Sequence, residues 1–136
     1  FVPWVFMGEE ISLSLRLWTS GYDIFSPTKN VLAHYYIRKH KPKFWESVNR
    51  LFRNQVHNPI VALVIKRIKN LLGYPESSRE LLYPPSLLYR LEEYHIGSER
   101  PAELYWRMVG LDVRTKKFTE QEWCHKGKKP AVYQEL

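Results

Sequence analysis

The spacing of hydrophobic positions predicts several helices. Four segments have apolar residues three or four positions apart, which is typical of a helix with one buried face; they are 44–53, 58–72, 87–94 and 101–109. Asn58 and Pro59 suit the cap and first residue of the second segment, and Gly73 suits its end. Gly110 predicts the end of the last segment in the same way.

The segment from Glu10 to Ser20 fits two periods. Ile11, Leu13, Leu15 and Leu17 alternate with polar residues, which is the strand period. Ile11, Leu15 and Trp18 also form a helical stripe. The pattern alone therefore leaves helix and strand equally open here. Two short apolar runs beyond it, Tyr22–Phe25 and Val31–Tyr36, are strand candidates separated by a turn.

Composition and charge narrow the class of protein. The 136 residues are 44% hydrophobic and 15% aromatic, enough to bury a core, so disorder is not expected. The net charge of +7 favours anionic partners: phosphates, nucleotides, nucleic acid or acidic lipid. Cys124 is the single cysteine, which excludes a disulfide framework and zinc sites built from cysteine pairs.

Two features bear on the ends of the chain and on membranes. The longest apolar run, Ile60–Ile65, is far shorter than a membrane span. The chain begins at Phe1, with no charged region or cleavage site of a signal peptide before the first apolar residues. We therefore expect a processed or truncated chain that does not cross a membrane through this segment.

The candidate chemistry lies in an acidic pair and a histidine. Glu9 and Glu10 directly follow Gly8, which permits close approach of a ligand to the backbone. A carboxylate beside an apolar segment can act as a base or bind a sugar hydroxyl. His34 could be a metal ligand through its neutral imidazole, together with acids from elsewhere. In most proteins, however, such an acidic pair only begins a helix and such a histidine is structural.

The same residues carry a resemblance to a known family. The matching positions are Phe6–Glu10, Arg16–Trp18, Gly21–Asp23, Ser26–Pro27, Asn30–Val31 and His34–Tyr36, with Gly97, Ser98, Arg100, Tyr105, Gly110 and Asp112 further on. They resemble the C-terminal half of the catalytic domain of N-acetylglucosaminyltransferases that modify hydroxyproline, Ser or Thr in proteins. A looser resemblance extends to the polypeptide N-acetylgalactosaminyltransferases.

The resemblance implies an α/β fold, the C-terminal part of a GT-A nucleotide-sugar transferase domain with additional helices. Residues 1–136 would be one fragment of it, with the acidic motif, metal histidine and following helix in 1–52 and a helical extension in 53–136. It also implies that residues 10–20 form a helix.

The implied reaction is transfer of N-acetylglucosamine from UDP-GlcNAc to a protein hydroxyl, with retention at the anomeric carbon. Glu9 and Glu10 would be catalytic and His34 a ligand of a divalent metal, Mn²⁺ in most such enzymes. The Asp-x-Asp motif that would complete the metal site does not occur. We therefore expect an incomplete metal site and a fragment that is inactive alone. We expect the protein in the cytoplasm, since no disulfide can form, or in the Golgi if an anchor precedes Phe1.

The alternative function is that of a basic binding module. Residues 38–43 combine basic side chains with nearby aromatics, as in nucleic-acid binding, but no nucleic-acid-binding motif accompanies them. The helix predicted for Asn58–Leu72 is amphipathic with a basic side and could lie on an anionic membrane. We expect neither partner, because a helix of this kind more often packs on its own domain.

Overall fold

A computed structural model describes the chain except for residues 1, 4, 38, 45, 48–58, 79–88, 120 and 122–128. The helices are α1 (Glu9–Thr19), α2 (Pro59–Leu71) and α3 (Ala102–Val109). One antiparallel hairpin, β1 (Leu111–Asp112) and β2 (Lys117–Phe118), places Leu111 opposite Phe118. Single 3₁₀ turns occupy Pro75–Ser78, Leu91–Tyr94 and Ala131–Gln134.

Helix α1 settles the ambiguous segment in favour of a helix. Its buried residues include Leu15, which both periods share, and Trp18, which belongs to the helical stripe alone. Leu13 and Leu17, which only the strand period would bury, are exposed. The chain leaves the helix at Gly21, whose φ of +87° lies in the left-handed region that glycine adopts without strain.

The core joins α1 to α3 and to the last turn of the chain. Trp18 is 1% exposed and packs edge-on against Tyr133 at 5.5 Å and against Tyr105 of α3 at 6.3 Å between ring centroids. Leu15 is fully buried beside it in the same cluster. Large aromatic side chains bury much area and prefer such tilted contacts, so this cluster fixes α1 in place.

Helices α2 and α3 confirm the predictions from spacing. Helix α2 ends before Gly73, and α3 before Gly110, and both glycines have positive φ. The spacing predicted Pro101 as the first helical residue of α3. In the structure Pro101 is the extended N-cap residue, and the helix begins at Ala102. At the end of α2, Ile68 and Leu72 are buried in the core, so this part of the apolar face packs on the domain.

Three other predictions need correction or stay open. The segments Tyr22–Phe25 and Val31–Tyr36 do not form the predicted strands among the described residues: both are irregular, because no described segment pairs with them. Of the helix predicted at 44–53, residues 44, 46 and 47 are helical and most of the rest lies outside the described residues. Within 87–94, the described part forms only the 3₁₀ turn Leu91–Tyr94.

The larger assignments stay predictions. The hairpin is the one sheet among the described residues, so it does not test the α/β class or the GT-A assignment. The proposed division near residue 52 falls outside the described residues.

Candidate active site beside helix α1

A small cleft separates one face of α1 from the N-terminal segment; we call it the α1 cleft. Its volume is about 170 Å³, and it is lined by Val2, Val5, Glu9, Ser12, Leu13 and Arg16. Glu9 and Arg16 are seven residues apart on the helix, which corresponds to about 10 Å along its axis. The cleft therefore has an apolar wall from the N-terminal segment, with an acid towards one end and a guanidinium towards the other.

The structure separates the two predicted acids. Both glutamates are exposed in the first turn of α1, where the helix dipole favours a carboxylate. Glu9 lines the α1 cleft, whereas Glu10 does not. Neither carboxylate has a hydrogen bond or an ion pair with another described residue, so Glu9 is free to accept a hydrogen bond from a ligand hydroxyl.

His34 lies apart from the acids. It is an exposed residue of the irregular segment 22–37, with its ring 4.1 Å from that of Tyr36, and it does not line the α1 cleft. In the described part of the chain, no group of three or more His, Cys, Asp or Glu side chains is arranged to bind a metal ion. The described residues do not fit a complete Mn²⁺ site.

A set of contacts that we call the Asp23 clamp anchors the start of the segment that carries His34. The Asp23 carboxylate accepts a hydrogen bond from Arg100 at 2.7 Å and one from the Tyr133 hydroxyl at 2.9 Å. The Arg100 guanidinium also stacks over Trp18 at 4.7 Å. The hydrogen bond from Arg100, and to a lesser extent that from Tyr133, holds the pKa of Asp23 below its usual value. The carboxylate therefore stays charged and keeps both contacts.

The clamp is joined to α1 through a close backbone contact. The amide of Gly97 donates to the Thr19 hydroxyl at 2.8 Å, and the amide of Glu99 donates to the Thr19 carbonyl at 2.8 Å. A Cβ at position 97 would lie 2.5 Å from that carbonyl oxygen. Only glycine fits here, so Gly97 lets the loop before α3 close over the end of α1.

Sequence reasoning found some of these residues without finding their roles. Asp23, Gly97 and Arg100 were among the matching positions of the resemblance. The structure shows that Arg100 bonds Asp23 and that Gly97 bonds Thr19, each across more than 75 residues of chain. Nothing in the sequence pointed to Tyr133 or Thr19. Contacts between residues so distant in sequence produce no periodic pattern. Covariation between the two positions is the signal that could have revealed them.

Comparison with known protein families assigns the chain to one of them. The chain is a glycosyltransferase sequence: the family model described as "Glycosyltransferase (GlcNAc)" matches residues 1–115. The chain therefore belongs to this family, whose members transfer N-acetylglucosamine. The match covers the α1 cleft, His34, Asp23 and Arg100 and stops before Tyr133. No curated protein and no solved structure matches the chain.

No helix among the described residues is both long enough and apolar enough to span a bilayer.

Proposed function

We propose that the chain carries part of the active site of an enzyme that transfers N-acetylglucosamine from UDP-GlcNAc to a Ser, Thr or hydroxyproline hydroxyl of a protein. The observation that carries the proposal is the α1 cleft, where Glu9 is exposed and has no partner among the described residues. The family match supports the sugar that is transferred. The choice of UDP as the donor nucleotide and of a protein as the acceptor is our own inference and goes beyond the family match.

In this proposal Glu9 acts directly on a hydroxyl group. Its carboxylate accepts a hydrogen bond from a sugar or acceptor hydroxyl and can take up its proton as the new glycosidic bond forms and UDP leaves. Glu10 lies one residue further along the helix and outside the cleft. Its contribution is the negative charge that it places beside the site.

The GT-A part of the proposal is supported by the exposure of segment 22–37. The following large apolar side chains there are 50–89% exposed: Tyr22, Ile24, Phe25, Val31, Leu32, Tyr35, Tyr36 and Ile37. An apolar surface of this extent is rare on a protein that works alone. We propose that the nucleotide-binding half of the same catalytic domain covers it, and that 31–36 then pairs as a strand of its sheet.

The same covering would bring carboxylates to His34. A lone imidazole does not bind Mn²⁺ firmly, because this ion prefers oxygen ligands beside any nitrogen. We propose that His34 supplies one ligand to a site whose acids lie outside the described residues. When bound, the ion would stabilise the charge on the departing diphosphate.

The two glutamates test the proposal, since each is a matched control for the other. In an enzyme that contains the chain and its nucleotide-binding half, Glu9→Gln should lower kcat about a hundredfold or more, the usual loss for a general acid–base group. KM for UDP-GlcNAc should change little. Glu10→Gln removes the same charge one residue away and should lower kcat far less. Equal effects, or no effect, would contradict the role of Glu9.

His34 is tested by metal binding measured apart from turnover. His34→Ala should weaken Mn²⁺ binding, followed by electron paramagnetic resonance, at least about tenfold, as loss of one ligand does. His40→Ala, at an exposed histidine six residues on, is the control. Unchanged Mn²⁺ affinity in the His34 variant would show that this histidine is not a ligand.

A further inference from the structure

Two arginines from different helices meet at one tyrosine ring. The guanidinium carbon of Arg16, on α1, is 5.8 Å from the centre of the Tyr94 ring, and that of Arg67, on α2, is 5.3 Å from it. All three side chains are half-buried. We call them the arginine pair and its ring. The ring attracts both cations, but it does not neutralise either.

The arginine pair has few partners in the protein. A guanidinium has five N–H donors. Among the described residues Arg16 donates only to the Glu93 carbonyl, at 3.4 Å, and Arg67 only to the Tyr89 carbonyl, at 2.8 Å. The Nε atoms of both are buried without a hydrogen-bond partner. Leaving such donors unpaired is costly.

No described carboxylate compensates the two charges. The acid nearest in sequence to the ring, Glu93, is engaged by Arg90 at 2.6 Å. Neither Arg16 nor Arg67 forms an ion pair with a described residue, although two like charges beside one ring repel each other. Within the described part of the chain, the arrangement therefore lacks an anion.

We propose that the arginine pair is a binding site for a phosphoryl group. Two guanidiniums offer planar forks of donors that match the oxygens of a phosphate. Arg16 also lines the α1 cleft, whereas Arg67 does not, so the proposed site borders the cleft on the Arg16 side. The site needs no metal. It rests on the geometry of the arginines and does not depend on the proposed transferase reaction.

Calorimetric titration of the full chain with pyrophosphate, in the presence of a chelator and at matched ionic strength, tests this site. We expect saturable binding that Arg16→Gln and Arg67→Gln each weaken about tenfold or more, the loss expected for a charge-assisted contact. Arg114→Gln is the control, since it removes the same charge from an exposed arginine outside the pair. It should leave the affinity unchanged.

The conservative variants Arg16→Lys and Arg67→Lys keep the charge and lose the fork, and they remain informative if a glutamine variant does not fold. We expect them to weaken binding as well, because lysine cannot bind bidentately. A second titration with UDP identifies the source of the phosphate. Tighter binding of UDP than of pyrophosphate would show that the site binds a nucleotide, and equal binding would show that it accepts any phosphoryl group.

Absence of pyrophosphate binding by the wild-type chain would overturn the site. So would equal affinity in the wild-type chain and in folded variants of both arginines. Because these titrations involve no turnover, an inactive transferase would leave their outcome unaffected.

Discussion

Gly97→Ala should destabilise the chain more than Gly73→Ala, because position 97 has no room for a Cβ and position 73 has. The added Cβ would lie 2.5 Å from the Thr19 carbonyl oxygen and 2.6 Å from the Ser20 hydroxyl. Ordinary contact distance requires a displacement of about 1 Å. The Thr19 carbonyl cannot retreat freely, because it accepts bonds from the amides of Glu99 and Arg100.

The cost can be worked from these contacts. Overpacking of this kind costs about 1–3 kcal/mol. The displacement also stretches the bond from the Gly97 amide to the Thr19 hydroxyl, now 2.8 Å long, at a cost of about 1 kcal/mol. We therefore expect a loss of about 2–4 kcal/mol in the free energy of unfolding.

Gly73→Ala is the matched control. A Cβ there would have nothing within 4 Å, and its φ of +70° leaves only the backbone strain of alanine, roughly 1 kcal/mol. Urea unfolding followed by tryptophan fluorescence measures both variants. If Gly97→Ala lost no more stability than Gly73→Ala, the close contact between the loop and α1 would not exist in solution.

Two further predictions concern the core and the dependence of stability on pH. Leu15→Ala should cost about 2–5 kcal/mol of unfolding free energy, because Leu15 is fully buried, whereas Leu17→Ala on the same helix, 36% exposed, should cost much less; equal losses in urea unfolding would contradict the assigned face of α1. Lys69 and Lys116 lower the pKa of Glu76 to about 2 by hydrogen bonding; because this folded pKa lies below the usual 4.5, its stabilisation is complete above pH 4.5 and is lost as pH falls towards 2. Glu76→Gln should flatten the pH dependence of the midpoint of unfolding in that range, and an unchanged slope would refute the pairing.

Local chemistry explains what the sequence could predict. Gly73 and Gly110 marked the ends of two helices because a left-handed residue after a helix favours glycine wherever it occurs. Helix α1 was not predictable from periodicity, since both periods fitted; the burial of Trp18 against Tyr105 and Tyr133 decides it, and these partners come from far along the chain.

The predicted strands are not formed by the described residues, because a strand depends on pairing with a second segment. Residues 22–25 and 31–36 have the apolar content of strands, but a strand needs a neighbour, and no described segment supplies one. Glu9 was predicted as a catalytic residue from the resemblance, and the structure shows that it lines the α1 cleft. The arginine pair escaped sequence reasoning because Arg16 and Arg67 are brought together only by the packing of α1 and α2 around Tyr94.

The central claim is that this chain contributes Glu9 to the transfer of N-acetylglucosamine. The most direct test incubates the enzyme that contains the chain with UDP-GlcNAc and peptides bearing Ser, Thr or hydroxyproline, and records the peptides by intact mass spectrometry. We expect that one of these peptides gains a single N-acetylhexosamine with wild-type Glu9 and none at matched times with Glu9→Gln. Equal modification by the two enzymes would contradict it.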